Sequence, residues 1–260
     1  MENQLSSRIT EYFSRDDAAA QWWHIDSKTG GRYGKQIKFI RDNVPIKDLV
    51  TLDVATGLGR FAIDFAKSGA DKVIGVDISA SMIEKAKKNS VQEGVGDKID
   101  FKVGNAAELN FAPNSFDIIS LMEVLVHLPD PTSVVKNLSK YLKPNGLFIT
   151  NYDYPRAPKV TYPIDAMVAL ARGVLKRKFK RDTVMLSTVD ETIGSLEKSK
   201  NKEVRFMRPK DAYRGLSVNN VNKMLQEAGL TVIHEMSEFP SVGSIVFPIS
   251  IGKMIIAQKR

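Results

Sequence analysis

Apolar residues along this chain fall into short buried-type runs separated by stretches of helical spacing, and the rhythm begins at Leu49. Leu49 to Val54 is a short, largely apolar run of the kind a strand covered on both faces requires. Residues Gly57 to Ser68 follow with helical spacing (Phe61, Phe65, Ala66) and stop at Gly69. Lys72 to Val76 reads as a second buried strand, and Ser79 to about Asn89 as the helix after it. Ile99 to Val103, Phe116 to Leu121 and Leu147 to Tyr152 make three more strands, with a helix from Pro131 to Leu142 between the last two. Ser217 to Ala228 is a helix with a serine start signal and a Gly229 stop. Leu230 to Glu235 and Lys253 to Gln258 read as closing strands. Strands alternating with helices predict an α/β fold: a doubly wound, seven-stranded, mostly parallel sheet with right-handed crossovers.

Two segments break the rhythm. Residues 1–45 read as a helical cap with Tyr12, Phe13, Trp22 and Trp23, interrupted at Gly30-Gly31. Residues 154–216 read as an insertion after the fifth strand. The expected organisation is a cap over 1–45, a ligand-binding core over 46–153, an inserted lid over 154–216, and the end of the core sheet over 217–260.

Composition changes this picture in three places. No cysteine is present, which excludes a disulfide framework and any thiolate metal site and fits a reducing compartment. The N-terminus lacks a basic stretch followed by an apolar core, and the longest apolar stretch, Val242 to Ile251, is far short of the roughly 20 residues a spanning helix needs. The expectation is a cytoplasmic protein, at most peripheral to a membrane. The net charge of +8 is localised: residues 1–150 are balanced, whereas residues 156–214 hold 15 Lys/Arg against 7 Asp/Glu. A localised excess marks a surface that meets something anionic, or a solvated lid.

Candidate chemistry concentrates at the first turn, Asp53-Val54-Ala55-Thr56-Gly57-Leu58-Gly59. Glycines there let the backbone turn sharply and a ligand approach without an intervening Cβ. The amides opening the next helix then face an anionic group. Asp77 follows Gly57 by 20 residues, at the end of the second strand, where a carboxylate accepts hydrogen bonds from both hydroxyls of a ribose. The combination points to a nucleoside with an intact diol. Gly57-x-Gly59-x-x-Ala62 on its own also fits a dinucleotide fingerprint. No Tyr-x-x-x-Lys pair occurs in the chain, which weakens a short-chain dehydrogenase reading.

Over about residues 49–151 these features resemble the class I S-adenosylmethionine (SAM)-dependent methyltransferases, type 11-like. The resemblance rests on acidic Asp53 before a D-x-G-x-G-x-G-like loop whose first glycine is Ala55, on Asp77, on Gly104-Asn105-Ala106-Ala107-Glu108-Leu109, on Phe116-Asp117, and on the turn Leu142-Lys143-Pro144-Asn145-Gly146. It implies SAM as cofactor, contacted by Asp53, Ala55, Thr56, Gly57, Gly59, Asp77, Ile78, Asn105, Ala106 and Glu123. Asn105 stands where aspartate is commoner and can accept from an adenine amino group through its side-chain carbonyl.

A further resemblance lies in Trp22-Trp23 and in Met122-Glu123-Val124-Leu125-Val126-His127-Leu128-Pro129-Asp130-Pro131. Both are similar to the ubiquinone-biosynthesis O-methyltransferase group, in which two glutamates and a histidine of this run are associated with a divalent metal. Glu123 and His127 match, but Val126 stands where the second glutamate would be, so no metal site is expected. A sulfonium methyl needs a base only when the acceptor arrives protonated. His127, just past the fourth strand, is the candidate catalytic base, with packing beneath the cofactor as its alternative. His24, Tyr152 and Asp153 are weaker candidates near the acceptor, and His234 reads as structural.

In the insertion, Ile164, Met167, Val168, Ala171, Val174 and Leu175 form one apolar helix face running into Lys176-Arg177-Lys178-Phe179-Lys180-Arg181. Three readings compete: a lid helix with a solvated basic end, peripheral contact with an anionic membrane through residues 172–181, and a nucleic-acid strip. The last is disfavoured by the lack of any RNA-binding module or Asn-Pro-Pro-Tyr run. The expected function is methyl transfer to an oxygen or nitrogen of a small, isoprenoid or lipid-like acceptor. An RNA methyltransferase and a SAM-binding regulatory protein without transfer activity remain as alternatives, and the oligomeric state is open.

Overall fold

A sheet buried on both faces needs continuous apolar strands in its middle and tolerates alternation only at an edge. The strands here obey that rule. The computed structural model describes residues 32–154, 216–238 and 251–260. Trp22, Trp23, His24 and the insertion from 155 to 215, including the 164–175 helix and the 176–181 basic run, lie outside the described residues.

Seven strands form one sheet: β1 (Val50–Val54), β2 (Lys72–Asp77), β3 (Ile99–Val103), β4 (Phe116–Leu121), β5 (Leu142–Tyr154), β6 (Leu230–Glu238) and β7 (Ile251–Lys259). Their order is β3-β2-β1-β4-β5-β7-β6. Strands β1 to β5 run parallel, and β6 pairs antiparallel with β7. The sheet is therefore mostly parallel, as the alternating pattern requires. Central β1 and β4 are buried along nearly their whole length, whereas edge strand β3 alternates, with Ile99 and Phe101 inward and Asp100 and Lys102 outward. Chain order reverses between β1 and β4, and that switch point is where open α/β sheets bind ligands.

The helices are α1 (Arg32–Asn43), α2 (Arg60–Lys67), α3 (Ala80–Gln92), α4 (Pro131–Tyr141) and α5 (Val218–Glu227). Their starts have chemical causes. Ser79, Asp130 and Ser217 each accept a hydrogen bond from an amide of the first turn, at 3.3, 3.0 and 3.1 Å, and Pro131 adds a fixed φ at the start of α4. Helix α2 begins at Arg60 rather than Gly57, because Gly57 and Gly59 sit at φ +54° and +83° and cannot belong to a right-handed helix. Strand β5 starts earlier than the apolar run: Phe116 pairs with Leu142 and Ile118 with Leu147, so Lys143 to Gly146 bulge out of the ladder with Asn145 at φ +63°.

Helix α1 buries Gln36, Ile37 and Ile40. It is fastened to α2 by the Arg41–Asp64 ion pair and by Tyr33, whose hydroxyl donates to the Arg60 carbonyl at 2.8 Å and whose ring meets Phe61 edge-on. Among the described residues no helix is long and apolar enough to cross a membrane.

Candidate functional site

The site is assembled from the loops at the carboxyl ends of β1, β2, β3 and β4. After β1 the chain turns through three left-handed residues, Ala55 (φ +55°), Gly57 and Gly59. For alanine that conformation costs about 1–2 kcal/mol, which explains physically why a glycine would suit position 55. The turn is held by the Thr56 amide donating to the Val76 carbonyl (2.9 Å) and the Gly59 amide donating to the Thr56 carbonyl (2.9 Å).

The two glycines serve different ends. A Cβ on Gly59 would lie 3.1 Å from both Ala86 Cβ and the Phe101 ring, so that glycine permits packing of the loop on α3 and β3. A Cβ on Gly57 would meet nothing within 4 Å. No protein neighbour demands a glycine's bareness there, as a site built for close ligand approach requires.

Two carboxylates organise the turn. Asp53, at the end of β1, is 1% exposed. Its Oδ1 accepts from Ser120 Oγ of β4 and its Oδ2 from Thr56 Oγ1, both at 2.6 Å, so it ties the loop across the switch point. Burial pushes its pKa up to about 6, and the two hydroxyl bonds offset part of that rise. Asp77, at the end of β2, accepts from the Gly57 amide on Oδ2 (2.8 Å) and from the Ser79 amide on Oδ1 (2.9 Å). Burial raises its pKa and the amides of Ser79, Gly57 and Ile78 pull it back. A carboxylate offers about four lone-pair sites, so capacity remains on Asp77 for hydroxyl donors. The open space at Gly57 and the remaining acceptor capacity of Asp77 fit the nucleoside half of SAM.

Beyond β3, the Gly104 amide donates to the Asp77 carbonyl (2.9 Å), which draws the Asn105 loop to the end of β2. Asn105 accepts from the Ala107 amide (3.1 Å) and donates to Glu108 (2.9 Å), which fixes the orientation of its carbonyl. Beyond β4, Glu123 is exposed yet left-handed at φ +59°. Its amide donates to Asn151 Oδ1 on β5 (2.6 Å), while its Oε1 accepts from Asn151 Nδ2 and from Gln36 Nε2 (3.0 Å). His127 ends a short 3-10 turn, Leu125–His127, and its amide donates to the Val124 carbonyl (2.7 Å). Burial holds the imidazole below its ordinary pKa of 6.5. Among the described residues no group of three or more His, Asp or Glu could hold a metal ion.

The hydrogen bonds thus join Asp53 to Thr56 and Asp77 to Gly57, while the bonds described for Asn105 stay within its own loop and those described for Glu123 run to Asn151 and Gln36. Sequence reading missed Ser120, Asn151 and Gln36. The first two carried a weak signal, being polar residues next to the apolar runs Ile118-Ile119 and Leu147-Phe148-Ile149 of their strands. Gln36 carried none.

The fold, the left-handed glycine turn and Asp77 have the arrangement that a SAM-binding methyltransferase domain requires. Residues 52–150 match the family described as "Methyltransferase domain". The chain is 26% identical over 244 residues to the ubiquinone biosynthesis O-methyltransferase of Aliivibrio fischeri (strain ATCC 700601 / ES114), covering 90% of each. It is 34% identical over 133 residues to the protein of the same name from Coxiella burnetii (strain RSA 493 / Nine Mile phase I), covering 50% of this chain and 56% of that one. Among solved structures, magnesium protoporphyrin IX methyltransferase from Synechocystis PCC 6803 with bound SAH shares the fold at a TM-score of 0.63 and 16% identity, covering 98% and 100%. Residues 52–150 are a methyltransferase domain, and the chain is an enzyme that uses SAM.

Proposed function

We propose that the enzyme transfers the methyl group to an oxygen of a small hydroxylated acceptor with isoprenoid or lipid-like character, and that His127 removes the hydroxyl proton. The observation that carries this reading is His127 itself: a partly buried imidazole at the carboxyl end of β4, held neutral near pH 7 by burial. The similarity to the Aliivibrio fischeri O-methyltransferase over 90% of both chains supports oxygen over nitrogen.

When bound, SAM supplies an activated methyl on a sulfonium, so that the new bond to the acceptor oxygen forms as the carbon–sulfur bond breaks. The protein's task is alignment and exclusion of water. Asp77 and the Gly57 turn hold the nucleoside. Asp53, Ala55, Thr56, Gly59, Ile78, Asn105 and Ala106 complete the cofactor contacts in this reading; Glu123, expected among them from the resemblance, is left out because its Oε1 accepts from Asn151 and Gln36. His127 takes the acceptor proton, which leaves a neutral ether and an imidazolium.

Turnover of SAM against prenylated phenols, simple phenols, amines and RNA tests this. Phenolic acceptors are expected to turn over and RNA is not. His127→Ala should lower kcat by roughly 10²–10⁴ with SAM affinity unchanged, and the acid limb of the wild-type profile should fall below pH 6.5. A loss under about fivefold would remove the base role, and turnover on RNA alone would overturn the acceptor class.

A further inference from the structure

Two polar side chains outside the cofactor turn converge on Glu123. Glu123 adopts φ +59°, a conformation that a non-glycine residue holds only when its surroundings enforce it. The enforcing groups are identifiable. Asn151 of β5, 1% exposed, grips residue 123 twice: its Oδ1 accepts the Glu123 amide at 2.6 Å, and its Nδ2 donates back to the Glu123 carboxylate. Gln36 of α1, 2% exposed, donates to the same Oε1 at 3.0 Å. Two buried amides are thus devoted to one exposed carboxylate. A buried amide without partners is costly, so such an arrangement persists only if its geometry is satisfied.

The position matters because the chain leads directly from it to the candidate base. Glu123 is the second residue beyond β4, and the backbone proceeds through the Leu125–His127 turn to Asp130, which caps α4. The downstream end of this loop is therefore fixed by a cap. Its upstream end is fixed by Glu123.

We infer that Glu123 is a positioning residue: through Asn151 and Gln36 it locks the loop between β4 and α4 to β5 and α1, and so sets where His127 and its neighbours meet the acceptor. A bound metal or a direct contact with the methyl donor is not needed for this role. The inference deepens the methyltransferase reading and rests on it for its kinetic consequence, but the clamp itself can be measured without any acceptor.

Two readouts test it. In Glu123→Ala, amide exchange across residues 122–128 should quicken about tenfold or more, because the Asn151 and Gln36 amides both lose their acceptor. Gln36→Leu should quicken it in the same direction by less, because the Asn151 grip survives. Glu123→Gln should stay close to wild type, since a neutral amide oxygen still accepts from both donors. With an acceptor in hand, Glu123→Ala should lose kcat by at least tenfold with SAM Kd within about threefold, and Glu123→Gln should recover most of it. Unchanged exchange in Glu123→Ala would overturn the clamp. So would Glu123→Gln being as damaged as Glu123→Ala, which would mean that the charge itself is used, or a fall in SAM affinity without any change in exchange. Absence of turnover in the wild type would instead strike the proposed function and leave the exchange result standing.

Discussion

Asp53 shows how one buried carboxylate turns local packing into a pH response. Its folded pKa of about 6 lies above the ordinary 3.8, so the folded protein holds the proton more tightly than the unfolded chain. Between about pH 4 and pH 6 that difference makes stability fall as pH rises, by on the order of 2–3 kcal/mol at most, and above pH 6 the contribution is flat. Asp53→Asn should remove this slope, because the Ser120 and Thr56 hydroxyls can rotate to pair with an amide. Urea unfolding midpoints of both proteins at pH 4 and pH 7 check it: parallel pH dependence in the two would show that Asp53 does not titrate in this range. At this scale the sequence was informative where spacing carries chemistry. Asp53, Gly57, Gly59 and Asp77 were legible because a fixed separation joins a glycine turn to a carboxylate. Glu123 was legible only as part of a resemblance, and its grip by Gln36 was not, since the two residues are 87 positions apart.

At the scale of elements, the fit of β2 against β3 depends on two absent side chains. The Phe101 ring of edge strand β3 lies across Gly75 and Gly59, and a Cβ on Gly75 would fall 2.6 Å from one ring carbon and 2.7 Å from another. Such overlap must be relieved by moving the ring or the strand. Gly75→Ala should therefore destabilise the protein by about 1–3 kcal/mol. In a Phe101→Leu background the ring is gone and the same substitution should cost clearly less, so a double-mutant cycle from urea unfolding should give a coupling of about 0.5–3 kcal/mol. Additive effects would show that Phe101 is not the obstacle. Existence and type of each described element could be read from apolar runs and start signals: β3 and β4 fall where the runs lie, and Ser79, Asp130 and Ser217 cap as their side chains allow. Boundaries could not be read where the backbone itself decides. Left-handed glycines postpone the start of α2, and the ladder resumes on the far side of the Lys143–Gly146 bulge.

For the whole molecule, charge is the property that no single element explains. The balanced first 150 residues contain all the residues proposed to contact the cofactor, while residues 156–214 carry the entire excess of basic charge. If the acceptor is lipid-like, as proposed, the protein should co-sediment with anionic vesicles and not with neutral ones. Reversing charge at Lys176, Arg177, Lys178, Lys180 and Arg181 should abolish this at about 1 kcal/mol per site, and raised salt should weaken it by screening. Failure to co-sediment with anionic vesicles would refute membrane contact, and co-sedimentation that ignores both changes would refute its electrostatic basis. The sequence by itself determined the class of fold and the cofactor, and singled out the turn proposed to receive it. Each of these depends on periodicity or on short, fixed spacings, which local sterics and hydrogen bonding impose on any chain that carries them. Only the tertiary structure decided that Asp53 meets Ser120 across the switch point, that Phe101 occupies the room left by Gly59 and Gly75, and that Glu123 is held by α1 and β5 together. Those contacts join residues tens of positions apart, and no local rule relates them until the sheet brings them side by side.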